Sequence, residues 1–228
     1  MTKLLELPDQ LKLRRQFGFF DDFDTYVTTQ RWTTTADAGG SQALDADGVG
    51  GLLAITTGSV DNDEAYVEST VELYKFDADK PIVFEARVQY TEAATDAANI
   101  LLGLMDAVGA DSLQDDGAGP KASYSGAVLF KSDGATVWNC ESSIGSSQVT
   151  TVTEQTAGGS TSQTLRIEFQ PITSTDGEIR FFIDDAFVAK HSLTFTSATE
   201  MAIVLGAKAG SANGETLNVD YVACYQLR

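Results

Sequence analysis

The feature that most constrains the fold of this chain is a strict alternation of apolar and polar residues within short runs. In residues 81–90 (PIVFEARVQY) every second residue is apolar, namely Ile82, Phe84, Ala86, Val88 and Tyr90. Because alternate side chains point to opposite faces of a strand, this run predicts a half-buried β-strand. The pattern recurs in residues 164–171, 178–185 and 216–227. In the last run it predicts one inward face made of Leu217, Val219, Tyr221, Ala223, Tyr225 and Leu227.

Three other runs are apolar on both faces, at residues 99–105, 125–130 and 201–207. Such runs are typical of central strands that are covered on both sides. Turn clusters rich in Gly, Asp and Ser separate the runs, and no segment shows a convincing helical periodicity. The spacing predicts about twelve to fourteen strands, and therefore an all-β, antiparallel two-sheet sandwich.

Charge limits the partners of the chain. Its 228 residues include 33 acidic and 15 basic ones, which gives a formal net charge of −18. That charge opposes binding to nucleic acid, which requires clustered Lys and Arg, and binding to anionic membrane surfaces. No run approaches the roughly 20 apolar residues of a membrane helix, and no signal peptide is apparent. We therefore expect no nucleic-acid partner, no membrane partner and use without secretion.

The first sixteen residues differ from the rest of the chain in charge and composition. They hold four basic and two acidic residues, whereas residues 17–228 carry a net charge of −20. Their leucines and the basic residues nearest the body are Leu4, Leu5, Leu7, Leu11, Leu13, Lys12, Arg14 and Arg15. So apolar a segment is either a frayed terminus or an arm that docks on a partner. We predict an arm over residues 1–16 and one jelly-roll β-sandwich over residues 17–228.

The residues available for catalysis are few. His191 is the only histidine, so any serine–histidine or cysteine–histidine pair must include it. The spacing E-x-D-x-x-E, which places the paired carboxylates of sandwich glycosidases on one strand face, is absent. The charged residues of two strands are instead interpreted as cross-strand partners, namely Glu85, Arg87, Arg166 and Glu168. From these observations we expect a protein that is not an enzyme, with no catalytic residues and no cofactor.

Acidic turns and two cysteines leave alternatives open. Asp-rich clusters occur near residues 21–24, 45–47, 61–64 and 111–116. They suit either solvated turns or calcium loops, although the EF-hand spacing fails after Asp45. We favour turns and predict no metal site. Cys140 and Cys224 are either buried free thiols or a disulfide pair.

Three large aromatic residues are candidates for carbohydrate contact. Trp32 and Trp138 lie in strand-like runs, and Tyr124 precedes another such run. Each tryptophan either packs in the core or belongs to a stacking platform for a sugar or peptide. The carbohydrate-binding hypothesis therefore rests on Trp32, Tyr124 and Trp138.

Three stretches resemble the concanavalin A-like (laminin-G-like) jelly roll. DGEIRFFIDDAFVAKH (residues 176–191) is similar to the hairpin of that fold, with Asp184-Asp185-Ala186 in place of the usual Asp-Gly. FDDFDTYVTTQRWTTT near the start resembles its opening segment. ETLNVDYVACYQ near the end resembles its closing strand, which pairs beside the first. The resemblance implies the fold and does not specify an activity.

More narrowly, the chain is similar to minor head proteins of tailed bacteriophages. The similar stretches are DNDEAYVEST (residues 61–70), residues 84–107, residues 119–134 and ETLNVDYVACYQ. The resemblance implies a capsid decoration (cement) protein, a homotrimer bound to the major capsid protein on the outer surface of the virion after assembly in the host cytoplasm. The arm would then contact the capsid or a neighbouring subunit. The alternative is a carbohydrate-binding, lectin-like module for host-surface glycans, whereas a glycan hydrolase or lyase is disfavoured by the missing carboxylate pair.

Overall fold

The computed structural model describes residues 16–158 and 161–228 of the chain. Within these residues there are fifteen β-strands and one short 3₁₀ helix, Asp115–Gly117, and no helix is long and apolar enough to cross a bilayer. The strands are β1 (Gln16–Asp21), β2 (Trp32–Ala36), β3 (Ser41–Leu44), β4 (Leu53–Thr56), β5 (Glu64–Ser69), β6 (Ile82–Thr91), β7 (Ala98–Met105), β8 (Gly126–Lys131), β9 (Val137–Ile144), β10 (Ser147–Thr156), β11 (Gln163–Pro171), β12 (Asp176–Ile183), β13 (Ala186–Thr194), β14 (Ala202–Ala209) and β15 (Thr216–Leu227).

The strands form two antiparallel sheets that pack face to face. Sheet A has the order β13-β12-β11-β6-β15-β4-β3, and β1 pairs with β15 beyond the end of β4. Sheet B has the order β10-β9-β8-β7-β14-β5-β2. The closing strand thus lies beside the first, as the resemblance implied, and the predicted all-β antiparallel sandwich is confirmed.

Burial follows the alternation of the sequence in most strands. All five apolar residues predicted to face inward on β6 are buried in the core between the sheets. Every residue of the central strands β7, β8 and β14 is buried, because these strands are covered on both faces. On the outer face of sheet B the cover is the segment 106–125, whose Leu113 and Tyr124 pack on β5, β7, β8 and β14 in a second apolar cluster.

The predicted inward face of the C-terminal strand is wrong in its second half. Leu217 and Val219 are buried as predicted, but a β-bulge in the pairing with β6 follows Val219. An extra residue on one strand shifts the side-chain alternation by one position. Beyond the bulge Cys224 is buried, and Tyr225 points to the outer face of sheet A with 40% of its surface exposed.

The β12–β13 hairpin forms although Asp184-Asp185-Ala186 stands in place of the usual Asp-Gly. Its turn consists of Asp184 and Asp185, with φ values of 50° and 63°. Two consecutive left-handed residues are typical of the tight turn that matches the twist of a hairpin, and Asp tolerates this conformation better than most residues.

The charged residues of the outer face of sheet A form ion pairs, and the predicted pairing across strands is confirmed for Glu85, Arg87 and Arg166, whereas Glu168 pairs within its own strand. The Arg166 guanidinium lies 3.5 Å from Glu85 of β6 and 3.0 Å from Glu168 of its own strand. Arg87 forms an ion pair with Asp220 of β15.

Candidate functional site

The site residues predicted from the sequence fall into two groups. Those of the arm, Leu4, Leu5, Leu7, Leu11, Leu13, Lys12, Arg14 and Arg15, lie outside the described residues. The aromatic candidates Trp32, Tyr124 and Trp138 are buried in two different apolar clusters. The structure does not bring these three rings together on one surface.

The polar atoms of the three aromatic residues already have partners inside the protein. Trp138 donates from Nε1 to Gln163 Oε1 over 2.8 Å, and the Tyr124 hydroxyl donates to Glu141 over 2.9 Å. The two tryptophan side chains are fully buried, so neither offers a ring face to a sugar. Their burial supports core packing rather than ligand contact.

A cleft of about 400 Å³ that the sequence did not predict lies at one edge of the sandwich. It lies where the β9–β10 hairpin of sheet B meets the end of β13 from sheet A. Seven of the ten described residues that line the cleft carry hydroxyl groups, and none of the ten is charged. The hydroxyl-bearing residues are Ser142, Ser143, Ser147, Ser192, Thr194, Thr196 and Ser197. We refer to this surface as the hydroxyl cleft.

A buried hydrogen-bonded chain supports the hydroxyl cleft from inside the sandwich. The Ser142 hydroxyl lies 2.9 Å from His191 Nδ1, and the Thr151 hydroxyl lies 2.9 Å from His191 Nε2. The chain joins β9 and β10 of sheet B to β13 of sheet A, so it holds both walls of the cleft in register. The structure thus gives His191 a serine partner, Ser142. Any serine–histidine pair in this sequence had to include His191, because it is the only histidine.

The protonation state of His191 determines what the hydrogen-bonded group of Ser142, His191 and Thr151 can do chemically. Burial lowers the pKa of His191, so the imidazole is neutral at neutral pH. One ring nitrogen then donates and the other accepts, with the assignment set by the hydroxyl hydrogens. The partner on the far side of the ring is Thr151 rather than a carboxylate, so no anion stabilises an imidazolium there. The arrangement is therefore suited to hold neutral hydrogen-bonding groups.

The acidic turns show the hydrogen bonds of ordinary turn residues. Asp45 accepts from the backbone N–H of Asp47 over 3.0 Å, and Asp63 accepts from that of Val60 over 2.9 Å. Two other acidic residues, Glu64 and Asp111, share the ammonium group of Lys208. Within the described part of the chain, no group of three or more His, Cys, Asp or Glu side chains is arranged to hold a metal ion.

The fold is shared with solved structures of low sequence identity. No protein-family model matches the chain, and no curated protein matches it significantly. An endo-1,3-β-glucanase from Streptomyces sioyaensis aligns over 92% of this chain and 95% of its own, with 19% identity and a TM-score of 0.63. An endo-β-1,4-glucuronan lyase from Trichoderma reesei aligns over 90% and 94%, with 12% identity and a TM-score of 0.66. The Emp47p carbohydrate recognition domain aligns over 93% and 97%, with 12% identity and a TM-score of 0.61.

These similarities confirm the concanavalin A-like jelly roll and overturn one expectation. We expected from the sequence that the chain is not an enzyme, and the comparisons contradict that expectation at the level of the fold, because two of the similar structures are enzymes of the same fold. The physical reason is that the missing E-x-D-x-x-E spacing excludes a single arrangement of carboxylates on one strand. Catalytic groups can be assembled on such a fold from other positions.

The sequence reasoning missed the hydroxyl cleft because its walls are distant in the chain. The local signal was present as two runs rich in Ser and Thr, at residues 142–151 and 192–197. Each run by itself is typical of a solvated strand end or turn. Only the packing of β10 against β13 brings the two runs together.

Proposed function

We propose that this protein binds carbohydrate, and that the hydroxyl cleft is the binding site. The observation that carries the proposal is the lining of the cleft, which is rich in hydroxyl groups and contains no charged residue among those described. Sugar hydroxyls both donate and accept hydrogen bonds, and so do Ser and Thr side chains. Ile144, Val149 and Leu193 supply apolar surface for the C–H faces of a sugar ring.

The similar structures support the same class of ligand. One is named as a carbohydrate recognition domain, and two are named as enzymes that act on a glucan or a glucuronan. We infer that the ligand is a neutral oligosaccharide, since a chain with a net charge of −18 repels an acidic one. The cleft of about 400 Å³ is large enough for one or two sugar units.

The test is a calorimetric titration of the full chain. The ligands are neutral gluco- and manno-oligosaccharides and a uronic-acid oligosaccharide. Ser147→Trp and Ser197→Trp fill the mouth of the cleft at exposed positions, and Ser59→Trp, in an exposed turn, is the matched control. We expect binding of a neutral oligosaccharide that the first two variants lose and the control keeps. Chromatography of the recovered sugar shows whether binding is accompanied by cleavage. Binding that survives both cleft variants would place the site elsewhere.

A second candidate function is attachment to a virus shell as a homotrimeric decoration protein on the outer capsid surface. The observation that favours it is a row of exposed apolar side chains on the outer face of sheet A, where the segment 1–15 joins β1. Phe20 of β1 is 50% exposed, and Val83 of β6 and Tyr225 of β15 are each 40% exposed. Such a surface together with the leucines of the arm would bury apolar area against the major capsid protein.

The shell function has its own test. The full chain is mixed with assembled shells of a tailed phage, and occupancy is measured after sedimentation. We expect Leu11→Asp/Leu13→Asp to reduce occupancy at least tenfold, whereas Leu44→Asp, at an exposed position of β3, leaves it unchanged. Mass photometry of the free protein tests the trimer. Full occupancy with the double variant would contradict an arm-based attachment.

A further inference from the structure

Two adjoining depressions form a groove on the body next to the start of β1. The first, of about 350 Å³, is lined by apolar residues and by charged residues of both signs, namely Phe17, Leu73, Leu227, Lys75, Asp77, Lys80, Glu200 and Arg228, and by Gln226. The second, of about 520 Å³, is lined by Val71 and by carboxylates. Glu200 lines both depressions, so they lie side by side. We refer to this surface as the acidic groove.

The floor of the acidic groove exposes apolar surface that water does not favour. Val71 is 55% exposed and Leu73 is 47% exposed, and the two lie on the link between β5 and β6. Val108 adds a third apolar side chain from the segment that covers sheet B. Adjacent exposed apolar residues of this kind are typical of a surface that binds another segment or a partner protein.

The walls of the second depression carry negative charge. Glu68, Glu72 and Glu200 line it, and no described residue that lines it is basic. Burial raises the pKa of Glu68, and the charge of Glu72 raises it further, while Lys121 opposes both effects. Lys75 forms an ion pair with Glu200 over 3.0 Å. The second depression thus combines exposed apolar surface with three carboxylates and no basic lining residue among those described. The first depression has a mixed charge, with Lys75, Lys80 and Arg228 beside Asp77 and Glu200.

The fifteen residues that precede β1 have the complementary composition. They contain five leucines together with Lys3, Lys12, Arg14 and Arg15. They continue directly from Gln16, one residue before Phe17 in the first depression. Fifteen residues span at most roughly 50 Å when extended, which is ample to follow a groove that begins at the point of attachment.

We propose that the acidic groove binds residues 3–15 of the same chain. The leucines cover Val71 and Leu73, and the basic residues lie against the carboxylates of Glu68, Glu72 and Glu200. This contact goes beyond carbohydrate binding and does not depend on it. Groove binding and shell binding by the same segment exclude each other at any one time, so the groove would hold the segment in the unassembled protein.

The test is hydrogen–deuterium exchange of the full chain, read on peptides that cover residues 3–15. The groove variant is Glu72→Lys/Glu200→Lys, and the control with the same charge change is Asp22→Lys/Glu154→Lys, at exposed positions outside the groove. We expect the groove variant to accelerate exchange of this segment at least tenfold, whereas the control and the peptides of β7 and β14 do not change. Adding Arg14→Glu/Arg15→Glu to the groove variant should restore slow exchange, because the charges are then complementary again.

Three outcomes would overturn the proposal. One is exchange of residues 3–15 at unstructured rates in the unmodified chain, and another is equal acceleration by the groove variant and the control. The third is protection that rises with protein concentration together with a dimer or trimer mass, because the segment would then occupy the groove of a second copy. Slow, concentration-independent exchange that depends on the groove charges supports the proposal.

Discussion

The indole of Trp32 donates a hydrogen bond from Nε1 to Oδ2 of Asp21 over 2.9 Å, and this contact joins the two sheets of the sandwich. Asp21 ends β1 of sheet A, and Trp32 begins β2 of sheet B. The same carboxylate accepts from the backbone N–H of Phe23 over 3.0 Å and lies 3.5 Å from the Arg31 guanidinium. One buried carboxylate therefore satisfies an indole and a backbone donor at the opening of the domain.

We predict that Asp21→Ala lowers the free energy of unfolding by about 2–4 kcal/mol, because it leaves two buried donors without a partner. Urea denaturation followed by tryptophan fluorescence measures the change. Asp22→Ala, at the exposed neighbouring position, should change the stability by less than about 0.5 kcal/mol. A loss below about 1 kcal/mol for Asp21→Ala would contradict this account of the contact.

Lys208 holds the segment 106–125 on the outer face of sheet B. Its ammonium group lies 3.1 Å from Asp111, 2.6 Å from Asp115 and 3.0 Å from the carbonyl of Leu113. We predict that Lys208→Met lowers the free energy of unfolding by about 3–5 kcal/mol, because the buried carboxylate of Glu64 loses its counter-charge. Hydrogen exchange of residues 109–117 should accelerate at least tenfold.

Two comparisons check the interpretation of Lys208. Lys190→Met, which removes an exposed ion pair with Glu178, should cost less than about 1 kcal/mol. Glu64→Gln added to Lys208→Met should recover part of the lost stability, because the unpaired buried charge is then removed. No recovery would show that the loss arises from packing of the lysine stem.

Glu215 predicts a pH dependence of stability. Its side chain is buried, Oε2 accepts from the Ala93 N–H over 3.0 Å, and Oε1 has no hydrogen-bond partner among the described residues. Burial raises the pKa of Glu215 from 4.5 to about 7. A folded pKa above the unfolded value means that the neutral form stabilises the fold, and this contribution is lost as the pH rises through about 7.

The variant Glu215→Gln separates this contribution from those of other groups. We expect its stability relative to the unmodified chain to rise by about 2–3 kcal/mol between pH 5 and pH 8, because Gln does not ionise. Urea denaturation at a series of pH values measures the difference. A difference that does not depend on pH would contradict the raised pKa.

The two cysteines resolve the alternative that the sequence left open. Cys140 and Cys224 are free and buried, and burial raises the pKa of the Cys140 thiol to about 12. We predict that neither reacts with a thiol reagent in the native protein at pH 8, because reactivity requires an accessible thiolate. Both should react after denaturation in urea. Rapid modification of the native protein would contradict the burial.

The strands themselves were predictable because alternation is a local property. β6, β11 and β12 follow their apolar patterns, since a side chain two positions along a strand returns to the same face. The same rule failed on β15, where the bulge after Val219 depends on pairing with β6. A local pattern carries no information about an extra residue that only the neighbouring strand imposes.

The sequence by itself determined the antiparallel sandwich, the inward faces of most strands, the strong negative charge and the scarcity of catalytic residue types. The tertiary structure decided the burial of Trp32 and Trp138, the pairing of Ser142 with His191 and the location of the hydroxyl cleft. The physical reason is the range of the interactions. Strand formation depends on neighbours along the chain, whereas a cleft at the edge of two sheets depends on contacts between residues about fifty positions apart.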